Sequence, residues 1–367
     1  MFGQDLDTDR RPLVLIWELT QACDLSCKHC RADAQSERHP AELSTREGKR
    51  LLDDASEFGE GQLVVLSGGD PLVRDDVVEL IDYGVDQGLT MTMTPSGTES
   101  LDAPTVHRLG DAGLRRIAVS IDGPGPESHD DFRGENGSFE QTLRAAKAAA
   151  DVGLPLQVNT TVSQETVRHL PAMAELVEEL GAVLWSVFFL VPVGRGTVLT
   201  PISPEKAERV MEWLADLNRG TPFEIKTTEA PHYRRVLSKR RGASSPEAMS
   251  DDGIRRRMGI TAGNGFAFVS HTGLVYPSGF LPKAAGSVRE ESVVDIYRDS
   301  PLFTSLREPD DLKGKCGVCP FRNVCGGSRS RAFAYTGDPL ESDPLCAYVP
   351  PDYEGSRPVQ TVSKVVE

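Results

Sequence analysis

Three cysteines fall within eight residues, Cys23-Asp-Leu-Ser-Cys27-Lys-His-Cys30, directly after the apolar run Leu13 to Leu19. Three thiolates can hold three corners of a four-iron four-sulfur cube, and no fourth cysteine lies nearby in the chain. The fourth iron would then stay open to a small chelating ligand, whereas a cluster that only carries electrons normally has every corner capped by protein. A zinc knuckle with His29 as fourth ligand, or a set of buried free thiols, is the alternative for these residue types.

A second set lies near the other end: Cys316-Gly-Val-Cys319-Pro-Phe-Arg-Asn-Val-Cys325-Gly-Gly, followed by Cys346. Four thiolates can close a metal site completely, either as a second cube or as tetrahedral zinc. Seven cysteines split three and four in this way suit metal ligation in a reducing compartment better than a disulfide framework.

The elements that must position the first set follow from the apolar pattern. Strand-length runs at Leu13 to Leu19, Leu63 to Leu66, Met91 to Thr94, Arg116 to Ile121, Leu156 to Val162 and Ser186 to Val191 alternate with helix-length segments. Ser44-Thr-Arg-Glu47 reads as a capping box opening a helix toward Phe58. Further helices are expected at about Asp75 to Gln87, Ala103 to Ala112, Phe139 to Val152 and Gln164 to Leu180, with a glycine near each end. Such alternation demands parallel strands with right-handed crossovers. The expected fold class is therefore α/β, a partial (β/α)6 TIM-like barrel.

In a barrel of this kind the site lies where the carboxyl ends of the strands converge. After strand one comes the cysteine loop, and after strand two Ser67-Gly68-Gly69-Asp70-Pro71, whose glycines permit close approach to a ligand. Strand three is followed by Pro95-Ser96-Gly97, strand four by Ser120-Ile-Asp122-Gly, and strand six by Pro192-Val-Gly-Arg195-Gly. Strand five contains Asn159-Thr-Thr161. Polar groups at the ends of apolar strands are costly to bury without partners, so each is either a ligand contact or a structural hydrogen bond.

The cysteine spacing resembles that of the radical S-adenosylmethionine (radical SAM) enzymes, in which the open iron binds the amino and carboxylate groups of SAM. The resemblance implies that Cys23, Cys27 and Cys30 hold the catalytic cluster. It also implies that Gly68, Gly69, Asp70, Pro71, Ser96, Ser120, Asp122, Asn159 and Arg195 surround SAM. Asp70 stands where the family has Glu, and His29 where it often has another aromatic residue. Cys316, Cys319, Cys325 and Cys346 resemble the SPASM or twitch extension of the same enzymes, which implies a second, auxiliary [4Fe-4S] cluster. That extension usually has further cysteines after a Gly-x-Val-x-Pro turn; here Gly273-Leu-Val-Tyr-Pro277 is followed by Ser278. Through Cys325-Gly-Gly-Ser-Arg-Ser-Arg-Ala332, Tyr335 and Thr336-Gly-Asp338, the chain is similar to the branch that remodels haem precursors.

The 367 residues exceed one compact core. The expected division is a barrel at 1–200, a helical and Arg-rich connection at 201–260, a SPASM/twitch-like domain at 261–350 and a tail at 351–367. The connection holds Arg234, Arg235, Lys239, Arg240, Arg241 and Arg255 to Arg257, a local cationic cluster that either meets an anionic substrate or is a solvated loop. Net charge is −15, with 30 Arg against 10 Lys. Such a surface repels nucleic acid and anionic membranes, and no apolar run approaches spanning length, so a cytoplasmic location is expected.

The resemblance implies an oxidoreductase that cleaves SAM to a 5′-deoxyadenosyl radical and removes or oxidises side chains of an iron-porphyrinoid. The partners would be a small-molecule or haem-precursor substrate and an external electron donor such as ferredoxin or flavodoxin. A peptide maturase and a radical-silent iron-sulfur scaffold or electron carrier are the alternatives.

Overall fold

The computed structural model describes residues 7–240 and 260–356. Arg241 and Arg255–Arg257, read above as part of the Arg-rich cluster, lie outside the described residues.

One ten-stranded sheet organises the chain, in the order β10-β9-β8-β1-β2-β3-β4-β5-β6-β7. Its first six strands in sequence are β1 (Val14–Glu18), β2 (Leu63–Ser67), β3 (Thr90–Met93), β4 (Arg116–Ser120), β5 (Leu156–Val162) and β6 (Leu184–Phe189). Successive pairs are parallel, as the alternation with helices requires. The crossovers are α1 (Thr45–Ser56), α2 (Val77–Asp86), α3 (Ala103–Asp111), a pair α4 (Pro126–Arg133) and α5 (Ser138–Asp151), and α6 (Leu170–Glu179).

The Ser44 capping box forms: Glu47 N donates to Ser44 Oγ at 3.3 Å and Ser44 N to Glu47 Oε2 at 2.8 Å. Gln164 to Leu180 is not one helix. A turn at Val167–His169 precedes α6, whose start falls next to Pro171, a residue tolerated only in the first turn.

Four strands extend the sheet beyond the expected six, two of them parallel. Glu224–Thr228 (β7), following the helix Pro204–Leu217 (α7), pairs in parallel with β6, and Phe266–Val269 (β8) pairs in parallel with β1. Leu274–Tyr276 (β9) and Gly286–Ser287 (β10) add an antiparallel rim beyond β8. The segment read as connection thus contributes one strand to the barrel sheet and the segment read as C-terminal domain three.

Strand periodicity divides the side chains between two environments. Leu15, Trp17, Val64, Leu66, Ile117, Val119, Val158 and Val187 face the helices and form the core. The alternate residues line a cavity inside the sheet: Val14 and Ile16, Val65 and Ser67, Ala118 and Ser120, Asn159 and Thr161, Ser186 and Phe188, Phe266 and Phe268. The barrel interior is therefore a binding space and not a packed core.

Candidate active site

The cavity has a volume of about 1080 Å³, and Cys23, Cys27 and Cys30 all line it. It is larger than one small ligand needs.

Close backbone approach fixes the cysteine loop. Gly69 N donates to Thr20 O at 2.8 Å and Asp70 N to Ala22 O at 2.7 Å. A Cβ at Gly69 would lie 2.2 Å from Ala22 O, and one at Gly194 2.6 Å from Cys30 O, so a side chain at either position would displace the loop. Arg195 locks it from the same side: its N donates to Cys30 O, its Nε to Cys27 O and its Nη1 to Ala34 O, at 3.0, 3.0 and 2.9 Å.

Each thiol has a donor aimed at it. Cys23 Sγ lies 3.4 Å from both Ser96 Oγ and Leu25 N, Cys30 Sγ lies 3.3 Å from Ala34 N, and Cys27 Sγ lies 3.5 Å from Arg133 Nη1. These donors favour the thiolate, while burial pushes the Cys23 thiol up to about 11. Ligation to iron would resolve that opposition, since a metal binds the thiolate and releases the proton. Tetrahedral zinc would draw its sulfurs to about 2.3 Å from one centre. A cube spreads them over separate irons, and the donor set fits that group.

The polar residues expected around SAM divide into two kinds. Gly68, Gly69, Ser96, Ser120, Asp122, Asn159 and Arg195 all line the cavity with the cysteines; Asp70 and Pro71 do not. Asp70 instead ties the loop together, accepting from Leu72 N, Ser96 N and Thr98 Oγ1 at 3.1, 3.3 and 2.8 Å. Asp122 accepts from Thr161 N at 2.7 Å, and its Oδ2 lies 3.6 Å from Arg133 Nε. Sheet register sets Ser120, Asn159, Ser186 and Lys226 in one row across β4 to β7.

Three residues escaped the sequence reading. Arg133, at the end of α4, puts a buried guanidinium between Cys27, His29 Nε2 (3.2 Å) and Ser120 O (3.4 Å). His29 stacks on Phe132 with ring centroids 4.8 Å apart, and burial holds it neutral, down to about 4. The signal was an Arg on a short polar helix, which resembles any surface Arg.

Glu229, the second, has φ of 55°, unusual for a residue with a Cβ. It lines the cavity and accepts from Ser278, Ser328 and Ser330 hydroxyls. Ser186 is the third, distinguishable only through its register with Asn159.

The C-terminal cysteines gather beside α8 (Tyr233–Arg240). Cys325 is fully buried; burial first, then the nearby Cys346 and Cys316, push its thiol up. Burial raises Cys346 to about 11 and raises Cys319 too, with Cys316 adding to both, so the four sulfurs feel one another. Arg235 supplies opposite charge to Cys319, Cys325 and Cys346. Arg331, hydrogen-bonded to Phe189 O at 3.0 Å and ion-paired with buried Asp343 at 3.2 Å, anchors this region to the end of β6.

An open parallel barrel that presents three cysteines, glycine-rich loops and a polar row to one cavity defines a SAM-dependent iron-sulfur enzyme. Residues 17–177 match the profile of the Radical SAM superfamily. The chain is 41% identical over 341 residues to an AdoMet-dependent heme synthase of Methanosarcina barkeri, covering 92% of this chain and 97% of that protein. It is 32% identical to a PqqA peptide cyclase of Granulibacter bethesdensis, over 94% of this chain and 90% of that one. Streptococcus suis SuiB bound to S-adenosylmethionine has the same fold, with a TM-score of 0.71 at 18% identity over 92% of this chain and 78% of SuiB. The chain therefore belongs to the radical SAM superfamily, and its fold is a partial TIM barrel with a SPASM/twitch-like extension. Among the described residues no helix is long and apolar enough to cross a membrane.

Proposed function

We propose that this enzyme acts in haem biosynthesis, removing or oxidising carboxylate-bearing side chains of an iron-porphyrinoid. The observation that carries the reading is the cavity itself. One space of about 1080 Å³ joins the three-cysteine loop to a wall of Phe266, Phe268 and Phe280 and to five Arg side chains and Lys226. That combination suits a flat apolar ring with acidic arms. Similarity to an AdoMet-dependent heme synthase over nearly the whole chain supports it.

When bound, the cluster and SAM supply a 5′-deoxyadenosyl radical by one-electron cleavage of the sulfonium. The chain's own residues do the positioning. Cys23, Cys27 and Cys30 would hold the cluster, with an iron left for SAM. Ser120, Asn159 and Ser186 line one side of the space in register and would hydrogen-bond the ribose and amino-acid groups of SAM. Arg133, beside Ser120 and Cys27, is placed to meet the SAM carboxylate. Its charge is balanced by Asp122 at 3.6 Å, so the buried pair stays ionised without substrate.

Cys316, Cys319, Cys325 and Cys346 would hold a second [4Fe-4S] cluster. With four thiolate ligands it has no open iron, so its role is electron transfer or structure. An external one-electron donor such as ferredoxin or flavodoxin would supply the first cluster.

A peptide maturase is the second reading, supported by the likeness to a peptide cyclase. Anaerobic incubation of reconstituted enzyme with SAM, dithionite and either an iron-porphyrin tetrapropionate or candidate peptides separates the two. Formation of 5′-deoxyadenosine stimulated by the porphyrin, with a mass change on its side chains, is expected. Stimulation by peptide alone would overturn the porphyrinoid reading.

A further inference from the structure

The Arg-rich connection poses a question that composition cannot answer: which of its cations faces substrate. Among the described ones, Arg235 is forked onto Glu208, with Nη1 2.8 Å from Oε1. Arg240 is paired with Asp216, and Lys239 Nζ sits 4.1 Å above the Tyr348 ring. Arg234 differs from all three. It lines the cavity, and its guanidinium is held only by neutral acceptors, Nη1 by Val324 O at 3.3 Å and Nη2 by Ile260 O at 3.0 Å.

Two of the five N–H donors of a guanidinium are used in this way, and no carboxylate among the described residues pairs with it. The three remaining N–H donors of a cavity-lining guanidinium are free to receive a planar anionic acceptor such as a carboxylate. Three other cavity cations have carboxylates opposite them: Arg31 has Glu18, Arg133 has Asp122 and Arg195 has Asp33. Ile260, whose carbonyl accepts from Arg234, lines the cavity together with Leu237, Thr261 and Ala262.

We infer that Arg234 is the anchor for a substrate carboxylate, a specificity-determining contact at the C-terminal side of the cavity that receives an acidic arm of a flat apolar ring. The two backbone carbonyls hold the fork in place before substrate arrives, so little side-chain entropy is lost on binding. This deepens the proposed function and rests on it.

The test uses the anaerobically reconstituted holoenzyme and two probes, iron(III) coproporphyrin, which carries four propionates, and its tetramethyl ester, each titrated by the Soret shift. Arg234→Gln should weaken binding of the acid roughly 10- to 100-fold, as expected for a lost charge-assisted contact, with little effect on the ester. Arg234→Lys should restore part of the difference, and iron content should match wild type. Equal affinity of wild type and R234Q for the acid would overturn the anchor while leaving the porphyrinoid reading intact. Parallel losses for acid and ester, or loss of about four irons, would overturn it in favour of a role in holding the Cys325 segment. Failure of wild type to bind either probe would overturn the substrate reading and the anchor with it.

Discussion

Arg133 Nη1 lies 3.5 Å from Cys27 Sγ and donates to it, so this guanidinium acts directly on a cysteine sulfur of the three-cysteine loop. A cation at that distance stabilises thiolate sulfur and, on binding, a more negative reduced cluster. Arg133→Gln should weaken SAM binding about 10- to 100-fold and shift the cluster midpoint to more negative potential, while iron content stays near wild type. Anaerobic equilibrium binding and a potentiometric EPR titration check this; unchanged SAM affinity would remove Arg133 from the site.

The two cysteine sets are separate in sequence and in partners, so they should load independently. Replacing Cys23, Cys27 and Cys30 by Ala should lower iron from about eight to about four per chain and abolish 5′-deoxyadenosine formation. Cys346→Ala should leave reductive cleavage of SAM largely intact and lower turnover of substrate. Iron and sulfide analysis with a product assay reads both; loss of all iron in the triple variant would contradict independent sites.

Arg331 and Asp343 are both essentially inaccessible and lie 3.2 Å apart. Removing one member strands the other, so Arg331→Met should destabilise the chain by about 3–5 kcal/mol. Anaerobic denaturant titration measures it, and a change under about 1 kcal/mol would mean the charge is compensated elsewhere.

His129 gives a pH dependence with a defined sign. Burial lowers it from 6.5 to about 4, with Arg133 and His29 lowering it further while Asp122 and Asp130 oppose. Its Nδ1 accepts from Asp122 N at 3.3 Å and its Nε2 lies 3.3 Å from Ser138 Oγ, both compatible with a neutral ring. A folded-state pKa below the unfolded one gives stability that is full above about pH 6.5 and is lost as pH falls toward about 4. The loss attributable to this residue is about 3 kcal/mol. His129→Gln should flatten the stability curve across that window; an unchanged slope would rule the residue out.

Legibility in the sequence followed physical contrast. Strands β1 to β6 were readable within about two residues because both of their faces are buried, one against helices and one toward the cavity, leaving apolar runs. The Ser44 cap was readable from local chemistry alone. Strand β7, Glu-Ile-Lys-Thr-Thr, was not, since an edge strand half open to solvent carries no apolar run. The site divided the same way. Cysteine spacing declares itself, and the Gly-Gly loop follows from it. The roles of Arg133, Glu229 and Arg234 depend on which side chains oppose them across the fold, and nothing local distinguishes a paired Arg235 from an unpaired Arg234 beside it.

The most direct measurement follows a hydrogen atom. Reconstituted enzyme is incubated anaerobically with SAM, reductant and an iron-porphyrin deuterated on its propionate carbons, and the 5′-deoxyadenosine is analysed by mass spectrometry. The account predicts deuterium in 5′-deoxyadenosine together with a porphyrin that has lost carbon dioxide from a side chain. Unlabelled 5′-deoxyadenosine alongside an unchanged porphyrin, under conditions where SAM is cleaved, would contradict it.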